Sequence, residues 1–258
     1  MIKNLKLFTL LFLTITIHSC SNNDDDDYVT QPKTIFEHVA TSTNYMYLTS
    51  ALQKTNLAVV LDGVENYTLY APNDMAFARF LMQVGYNNLD EVPTELLTKI
   101  LLNHVMVGGI EYRDFVTGYF KTAATSEASQ IPLSIHIEQV NMRVTLNGES
   151  RITQGNVRAT NGIIHAVDRV IPIPSIVTFA KADKGLTNLL IALTRPDLTA
   201  DFASILSTSA GTTPAPFTVF APTDQAFVDL LVELGAQSLS DIDEPTLKAT
   251  LTYHVIGE

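Results

Sequence analysis

The sequence lacks several features that would indicate enzymatic or nucleic-acid-binding chemistry. It holds one cysteine, Cys20, so no disulfide can form within the chain and stability must come from packed apolar cores. No Gly-x-Ser-x-Gly segment is present, which removes the usual nucleophile of an α/β-hydrolase. The 16 Lys and Arg residues are outnumbered by 27 Asp and Glu residues and form no run. Nucleic acid is therefore not expected as a partner.

The N-terminal segment has the composition of a secretory signal peptide, which we place at residues 1–19. Lys3 and Lys6 give it a positive start, and the apolar run at 7–17 is too short to span a bilayer. The segment ends in the cleavage region Ile17-His18-Ser19-Cys20. This ending resembles a bacterial lipoprotein signal, which implies that Cys20 becomes the lipidated first residue of an exported protein. The alternative is a free cysteine near an ordinary cleavage site.

Residues 20–32 contain an acidic run formed by Asp24, Asp25, Asp26 and Asp27. Adjacent carboxylates repel one another and do not fold, which indicates a solvated tether. The run also resembles the signal that sends some Gram-negative lipoproteins to the outer face of the outer membrane. We expect a surface-exposed outer-membrane lipoprotein whose lipid anchor contacts the membrane, with a simple tether as the alternative function of the run.

Two stretches of sequence each occur twice, 150 residues apart. The segment YTLYAPNDMAF at 67–77 returns as FTVFAPTDQAF at 217–227, and LLNHV at 101–105 returns as LTYHV at 251–255. A repeat of this length is far longer than a solenoid unit. Each copy is therefore expected to bury a core of its own.

The repeated segment predicts a strand that leads into a capped helix. Residues 67–70 alternate as in a half-buried strand, and Pro72 ends that strand. Asn73 is suited to cap the helix, and Asp74 complements the helix dipole in the first turn. Strands with Asn-Gly turns are predicted over 131–171, after the helices, so the fold class is α+β.

Further local signals place the helix ends and the junction between the copies. Thr34 and Glu37 have the spacing of a capping box, and Gly85 ends the helix after the first repeated strand. His104 shares the i, i+3, i+4 spacing of the next helix and is predicted on its buried side. The linker around Pro172 is short, so the two copies are expected to pack against one another or at least to move little.

These segments resemble the fasciclin-like FAS1 domain family. The first copy has three of the family's motifs in order: the Ala-Pro segment at 67–77, the histidine segment at 101–105 and ATNGIIHAVDRVI at 159–171. The resemblance implies helices packed on a wedge of small β-sheets. It also implies two tandem FAS1-like domains, at 33–175 and 176–258.

The two copies depart from the family pattern in different ways. The first has Asn103 where the family usually shows Tyr, which weakens any role for a phenol there. The second stops at Glu258 and has nothing corresponding to 111–171. We expect the second copy to be incomplete, by truncation or because it cannot close its sheet.

The candidate site residues are polar members of the family motifs. They are Asn73, Asp74, His104, His165, Asp224, Tyr253 and His254. No nucleophile accompanies them, so no catalytic site is predicted. The spacing of His165 and Asp168 on a predicted strand places them on opposite faces, so no metal site is predicted. No cofactor is predicted either. His104 is predicted to make a buried hydrogen bond to Asn73 or Asp74, and contact with a ligand is the alternative.

The family resemblance implies a non-enzymatic adhesion protein that contacts an extracellular protein or glycan. The alternative is an enzyme or accessory subunit of polysaccharide breakdown, with a cleft near His104 and Asp74. An exposed apolar or aromatic patch away from the histidine would favour adhesion, whereas an open pocket at the histidine would favour catalysis.

Overall fold

A computed structural model describes residues 31–126, 129–208 and 215–257 of the protein. The predicted signal peptide, Cys20 and the acidic run Asp24–Asp27 lie outside these residues. From Pro32 onward the chain forms one structural unit. Within the described ranges, every helix is too short or too polar to cross a membrane.

The first copy of the repeat contains the helices and strands of a mixed α+β fold, as predicted. Its helices are α1 (Ile35–Ala40), α2 (Met46–Lys54), α3 (Leu57–Leu61), α4 (Asp74–Val84) and α5 (Thr94–Leu102). Its strands are β1 (Tyr67–Pro72), β2 (Val105–Val107), β3 (Gly118–Thr125), β4 (Pro132–Val140), β5 (Arg143–Leu146), β6 (Ser150–Ala159) and β7 (Gly162–Val167).

The helix ends follow the local sequence signals. The Thr34 hydroxyl accepts a bond from Glu37 N at 3.1 Å and the Glu37 carboxylate accepts one from Thr34 N at 2.8 Å, so the predicted capping box is confirmed. Asn73 caps α4 by accepting a bond from Ala76 N at 2.9 Å. Gly85 ends α4 with a φ of 78°, in the left-handed region that glycine adopts most easily.

The strands of the first copy form one sheet in the order β2-β1-β7-β6-β5-β4-β3. β1 and β7 run parallel with Tyr70 opposite His165, whereas the other pairs are antiparallel. The first family motif therefore lies directly beside the third. Gly162 begins β7 with a φ of 148°, and a Cβ there would lie 1.9 Å from the Tyr67 carbonyl oxygen. No larger residue fits at that position.

Alternation along β1 places its side chains in two apolar cores. Leu69 belongs to the core formed with the helices, which includes Phe77 and Leu97. Tyr70 belongs to a second core, formed mainly by the strands, which includes Ile135. The strand is buried on both faces, which explains its nearly continuous apolar and aromatic composition.

The second copy has a core of its own but a much smaller sheet. Its helices are α6 (Ile176–Ala182), α7 (Thr187–Leu193), α8 (Phe202–Ile205), α9 (Asp224–Leu234) and α10 (Glu244–Tyr253), and its strands are β8 (Phe217–Val219) and β9 (Val255–Gly257). β8 and β9 pair antiparallel, as β1 and β2 do. Phe220 is 61% exposed, whereas its counterpart Tyr70 is 0% exposed. The difference arises because residues 176–208 and 215–257 form no equivalent of the strands that cover Tyr70.

The two copies are in direct contact at their junction. The Tyr119 hydroxyl donates to the Asp183 carboxylate at 2.8 Å, and the Tyr119 ring meets the Phe179 ring edge-on at a centroid distance of 5.5 Å. Lys184 forms an ion pair with Glu138 on β4. These contacts confirm the prediction that the short linker leaves the copies packed against one another.

Candidate functional site

His104 follows α5 and is completely enclosed, with 0% of its surface exposed. Its Nε2 accepts a hydrogen bond from Ile171 N at 2.9 Å, so the ring proton lies on Nδ1, which donates to the Ile100 carbonyl at 2.7 Å. Burial lowers the pKa of His104 to about 4, and the ring is therefore neutral at pH 7. The ring joins the last turn of α5 to the chain that follows β7.

The prediction that His104 bonds to Asn73 or Asp74 was wrong. The Asn73 side chain caps α4, and the Asp74 carboxylate accepts a bond from Tyr47 N at 2.8 Å. The ring of His104 bonds instead to two backbone groups, the Ile100 carbonyl and the Ile171 N–H. The carbonyl lies in the final turn of α5, where helices leave carbonyl groups without an intrahelical partner.

His165 occupies the centre of β7 and is also fully buried. Its Nε2 donates to the Ile110 carbonyl at 2.9 Å, while Nδ1 accepts a bond from Asn156 N at 3.3 Å. Burial lowers the pKa of His165. The Asp168 carboxylate accepts a separate bond from Arg151 N at 2.8 Å, so His165 and Asp168 have different partners.

In the second copy Tyr253 and His254 are more exposed than Asn103 and His104, their counterparts in the first copy. His254 Nδ1 donates to the Phe220 carbonyl at 2.8 Å, and Tyr253 is 89% exposed. Asp224 accepts a bond from Asn188 N at 2.6 Å. In the first copy, the position of Tyr253 is taken by Asn103, which is buried and donates to the Pro172 carbonyl at 3.0 Å.

Asn161, predicted only as part of an Asn-Gly turn, forms buried long-range hydrogen bonds. Its Oδ1 accepts a bond from Ile35 N at 2.8 Å, and its Nδ2 donates to the carbonyls of Leu61 at 2.8 Å and Gly63 at 2.7 Å. One buried amide thus ties α1 and the end of α3 to the start of β7. The Asn-Gly pair was the available signal, but it gave no indication of these long-range partners.

The candidate residues thus do not form one cluster. Their contacts are separate and lie in different parts of the fold. Over residues 31–126, 129–208 and 215–257, no group of three or more His, Cys, Asp or Glu side chains could hold a metal ion. Both ring nitrogens of His104 and both ring nitrogens of His165 form hydrogen bonds. The arrangement stabilises the β1–β7 region, where the family motifs meet.

The family model of the Fasciclin domain matches residues 43–174 and again residues 184–258. The chain belongs to the Fasciclin domain family. This match confirms the resemblance inferred from the ordered motifs, and it covers both copies of the repeat. The contacts of Asp74 and Asp224, which the two copies share, therefore lie inside two matched Fasciclin segments.

Two curated proteins illustrate how far the similarity extends. A fasciclin-like arabinogalactan protein of Arthroderma benhamiae is 24% identical over 239 residues, covering 88% of this chain and 53% of that protein. Periostin of Homo sapiens is 28% identical over 199 residues, covering 76% of this chain and 22% of periostin. The chain thus spans about half of the first relative and less of the second.

Among solved structures, a FAS1 domain pair from the insect cell adhesion molecule fasciclin I is similar to this chain. The TM-score is 0.47 and the identity 16%, with 81% of this chain and 68% of that chain covered.

Proposed function

We propose that this chain is a binding and adhesion module of the bacterial cell surface that contacts extracellular proteins or polysaccharides. The Fasciclin match in both copies supports this role, because resemblance to that family implies adhesion. In this proposal a lipid on Cys20 holds the protein on the outer membrane. The acidic run Asp24–Asp27 directs it to the outer face.

The observation that favours binding over catalysis is the enclosure of His104. A cleft built on His104 and Asp74 would need the imidazole within reach of a substrate. The ring is instead 0% exposed and has backbone partners on both nitrogens. The Asp74 carboxylate accepts a hydrogen bond from Tyr47 N at the start of α2.

A group of exposed methionines supports adhesion, and the Arg79 guanidinium donates to Met75 Sδ at 3.0 Å among them. Asp74 binds Tyr47 N, which brings Met46 and Tyr47 of α2 next to Met75 of α4. Met82 lies seven residues after Met75 and so on the same side of α4. We call Met46, Tyr47, Met75 and Met82 the methionine–tyrosine surface; Met46, Met75 and Met82 are all more than 60% exposed. Flexible Met side chains suit contact with protein partners.

The test is a screen of protein and glycan arrays with the soluble chain 28–258. We expect selective binding, and the double variant Met75→Ser/Met82→Ser should weaken protein binding by roughly tenfold through loss of apolar contact. Met142→Ser is the matched control, because Met142 is similarly exposed in the β4–β5 turn. Absence of binding on both arrays, or release of sugars from a bound polysaccharide, would contradict the proposal.

A further inference from the structure

An open groove of about 460 Å³ lies on one face of the sheet at strands β4, β5 and β6. Along β5, Val144 is 1% exposed and faces the core, so Arg143 and Thr145 lie on the opposite face. Ligand sites commonly measure roughly 300–1,000 Å³, so the groove is large enough for a ligand. It is lined by Glu138, Val140, Asn141, Arg143, Thr145 and Arg151.

The strand register places two arginines of this groove close together. Thr145 on β5 lies opposite Arg151 on β6, and Arg143 is two residues before Thr145. Arg143 and Arg151 are therefore diagonal neighbours on one face, and such neighbours lie roughly 7–8 Å apart. Both side chains are exposed. Two guanidinium groups at this spacing can donate to one anionic group or to two adjacent ones.

Arg143 and Arg151 also differ from most arginines of the chain in their lack of a partner. Four arginines bond through their guanidinium groups to another side chain: Arg79, Arg113, Arg158 and Arg195. Within the described ranges, the guanidinium groups of Arg143, Arg151 and Arg169 form no hydrogen bond or ion pair. The Arg169 carbonyl accepts a bond from Ser150 Oγ at 3.0 Å, and Ser150 directly precedes Arg151. The three unpaired arginines thus lie in adjoining segments.

Two carboxylates beside these arginines are already bonded to other groups. Glu138 in the groove wall forms an ion pair with Lys184 of the second copy. The Asp168 carboxylate accepts a hydrogen bond from Arg151 N at 2.8 Å. Glu149, two residues before Arg151, is exposed and does not line the groove. An anion in the groove would therefore meet two free guanidinium groups, whereas these groups would repel a cation.

The acidity of the whole chain does not cancel this local attraction. The formal net charge of −11 opposes the approach of an anion at long range. Physiological salt screens exposed charges that are more than roughly 8–10 Å apart. The two guanidinium groups in the groove therefore dominate the interaction with an anionic group that contacts them.

The remaining lining favours a hydrophilic ligand over a protein. Protein interfaces usually have an apolar core with aromatic anchors in packed pockets. Val140, which is 46% exposed, is the single apolar residue of this groove. The Asn141 amide and the Thr145 hydroxyl have no hydrogen-bond partner in the part of the chain that the structure describes. They are available to donate to and accept from hydroxyl groups of a ligand.

We propose that this groove binds an anionic polysaccharide through Arg143 and Arg151. The proposal rests on the proposed function and adds the ligand class and its location. The guanidinium groups donate paired hydrogen bonds to carboxylate or sulfate groups of the polymer. The Asn141 amide and the Thr145 hydroxyl bond to hydroxyls of the same sugar residues.

Fluorescence anisotropy of labelled polymers with the soluble chain 28–258 tests the proposal. Polygalacturonate supplies carboxylates, dextran sulfate supplies sulfates, and dextran is the uncharged probe. At least one anionic polymer should bind, dextran should not, and added NaCl should weaken the binding. The double variant Arg143→Gln/Arg151→Gln should weaken it at least about tenfold, because it removes the charge-assisted hydrogen bonds.

Arg113→Gln/Arg158→Gln is the matched control. It removes the same charge, but from arginines that pair with Glu111. Neither residue lines the groove, and Arg158 lies near the opposite end of β6 from Arg151. The control should bind the anionic polymers within about twofold of wild type, since distant charges are screened. Melting temperatures establish that both double variants are folded.

Each contrary result overturns a distinct part of the proposal. Failure of both anionic polymers to bind would overturn it, and equal weakening by the two double variants would assign the binding to net charge. Equal binding of dextran would show that anionic groups are not needed. If polyglutamate bound through Arg143 and Arg151 while neither anionic polysaccharide did, the ligand would be an acidic protein.

The outcomes also separate this inference from the proposed function. Selective array ligands, together with no binding of either anionic polymer, would overturn the inference and leave the proposed function standing. Release of sugars from polygalacturonate bound through Arg143 and Arg151 would overturn the proposed function and leave the ligand class of the groove standing.

Discussion

The Asp74 carboxylate accepts a hydrogen bond from Tyr47 N at 2.8 Å and so joins the start of α4 to the start of α2. The second copy repeats the contact, because Asp224 accepts a bond from Asn188 N at 2.6 Å at the start of α7. In both copies the donor is the second residue of its helix. The repeated aspartate therefore accepts a hydrogen bond from a free N–H of another helix. Its negative charge also interacts favourably with the dipole of the helix on which it lies.

Replacing Asp74 should destabilise the first copy measurably. Asp74→Ala leaves Tyr47 N without its acceptor and removes a negative charge from the first turn of α4, so the free energy of unfolding should fall by about 1–2 kcal/mol. Asp74→Asn keeps an acceptor oxygen and should lose less. Urea denaturation measures the change, with Asp90→Ala as the exposed control expected to stay within about 0.5 kcal/mol. Equal effects of Asp74→Ala and Asp90→Ala would contradict the role of this contact.

Features that depend on neighbouring residues could be predicted from the sequence. The capping box of Thr34 and Glu37, the Asn73 cap and the Gly85 helix end each involve residues within one turn of helix, and all agree with the structure. The α+β class was predictable for the same reason, since it follows from the order of predicted helices and strands, each of which is a short continuous segment.

Features that depend on tertiary contacts could not be predicted in the same way. His104 was expected to be buried, but one of its partners is Ile171, 67 residues later. Asn161 bonds to Ile35, 126 residues earlier. Tyr119 bonds to Asp183, 64 residues later, and no local pattern specifies that contact.

His104→Ala should destabilise the chain without removing a ligand contact. The change leaves the Ile100 carbonyl and the Ile171 N–H without the ring and opens a cavity, so the free energy of unfolding should fall by about 2–4 kcal/mol. Folded molecules should still bind array ligands. His254→Ala is the matched control, because His254 has one ring bond and is partly exposed, and it should cost about 1 kcal/mol or less. An unchanged melting temperature with ligand binding abolished would support direct contact with a ligand.

Stability should fall under mildly acidic conditions. Burial holds the pKa of His104 at about 4, below its ordinary 6.5, and lowers the pKa of His165. The unfolded chain binds more protons below pH 6.5, so this stability is fully present above pH 6.5 and is lost as the pH falls toward 4. His104 should contribute a loss of about 2 kcal/mol between pH 7.5 and 5.0. Urea midpoints at the two pH values measure the loss, which should be smaller in His104→Gln; equal wild-type midpoints would contradict the prediction.

Cys20→Ala should leave the protein soluble or unprocessed. Lipid on Cys20 is the proposed anchor, and the substitution removes the thiol to which the lipid attaches. Incorporation of labelled fatty acid, followed by fractionation of cells, measures the effect. Ser21→Ala is the control, since it changes the neighbouring residue and keeps the thiol. Equal labelling of Cys20→Ala and wild type would rule out this lipidation site.

Replacing Asp24, Asp25, Asp26 and Asp27 with Ala should separate sorting from tethering. If the acidic run directs the protein to the outer face, the variant should still take up labelled fatty acid through Cys20 but should face the periplasm. Protease added to intact cells should then cut the wild type and spare the variant. Replacement of the same four residues with Asn keeps a polar, flexible tether without charge and should behave like the Ala variant, because the carboxylates are the proposed signal. Equal cutting of all three proteins would show that the run is only a tether.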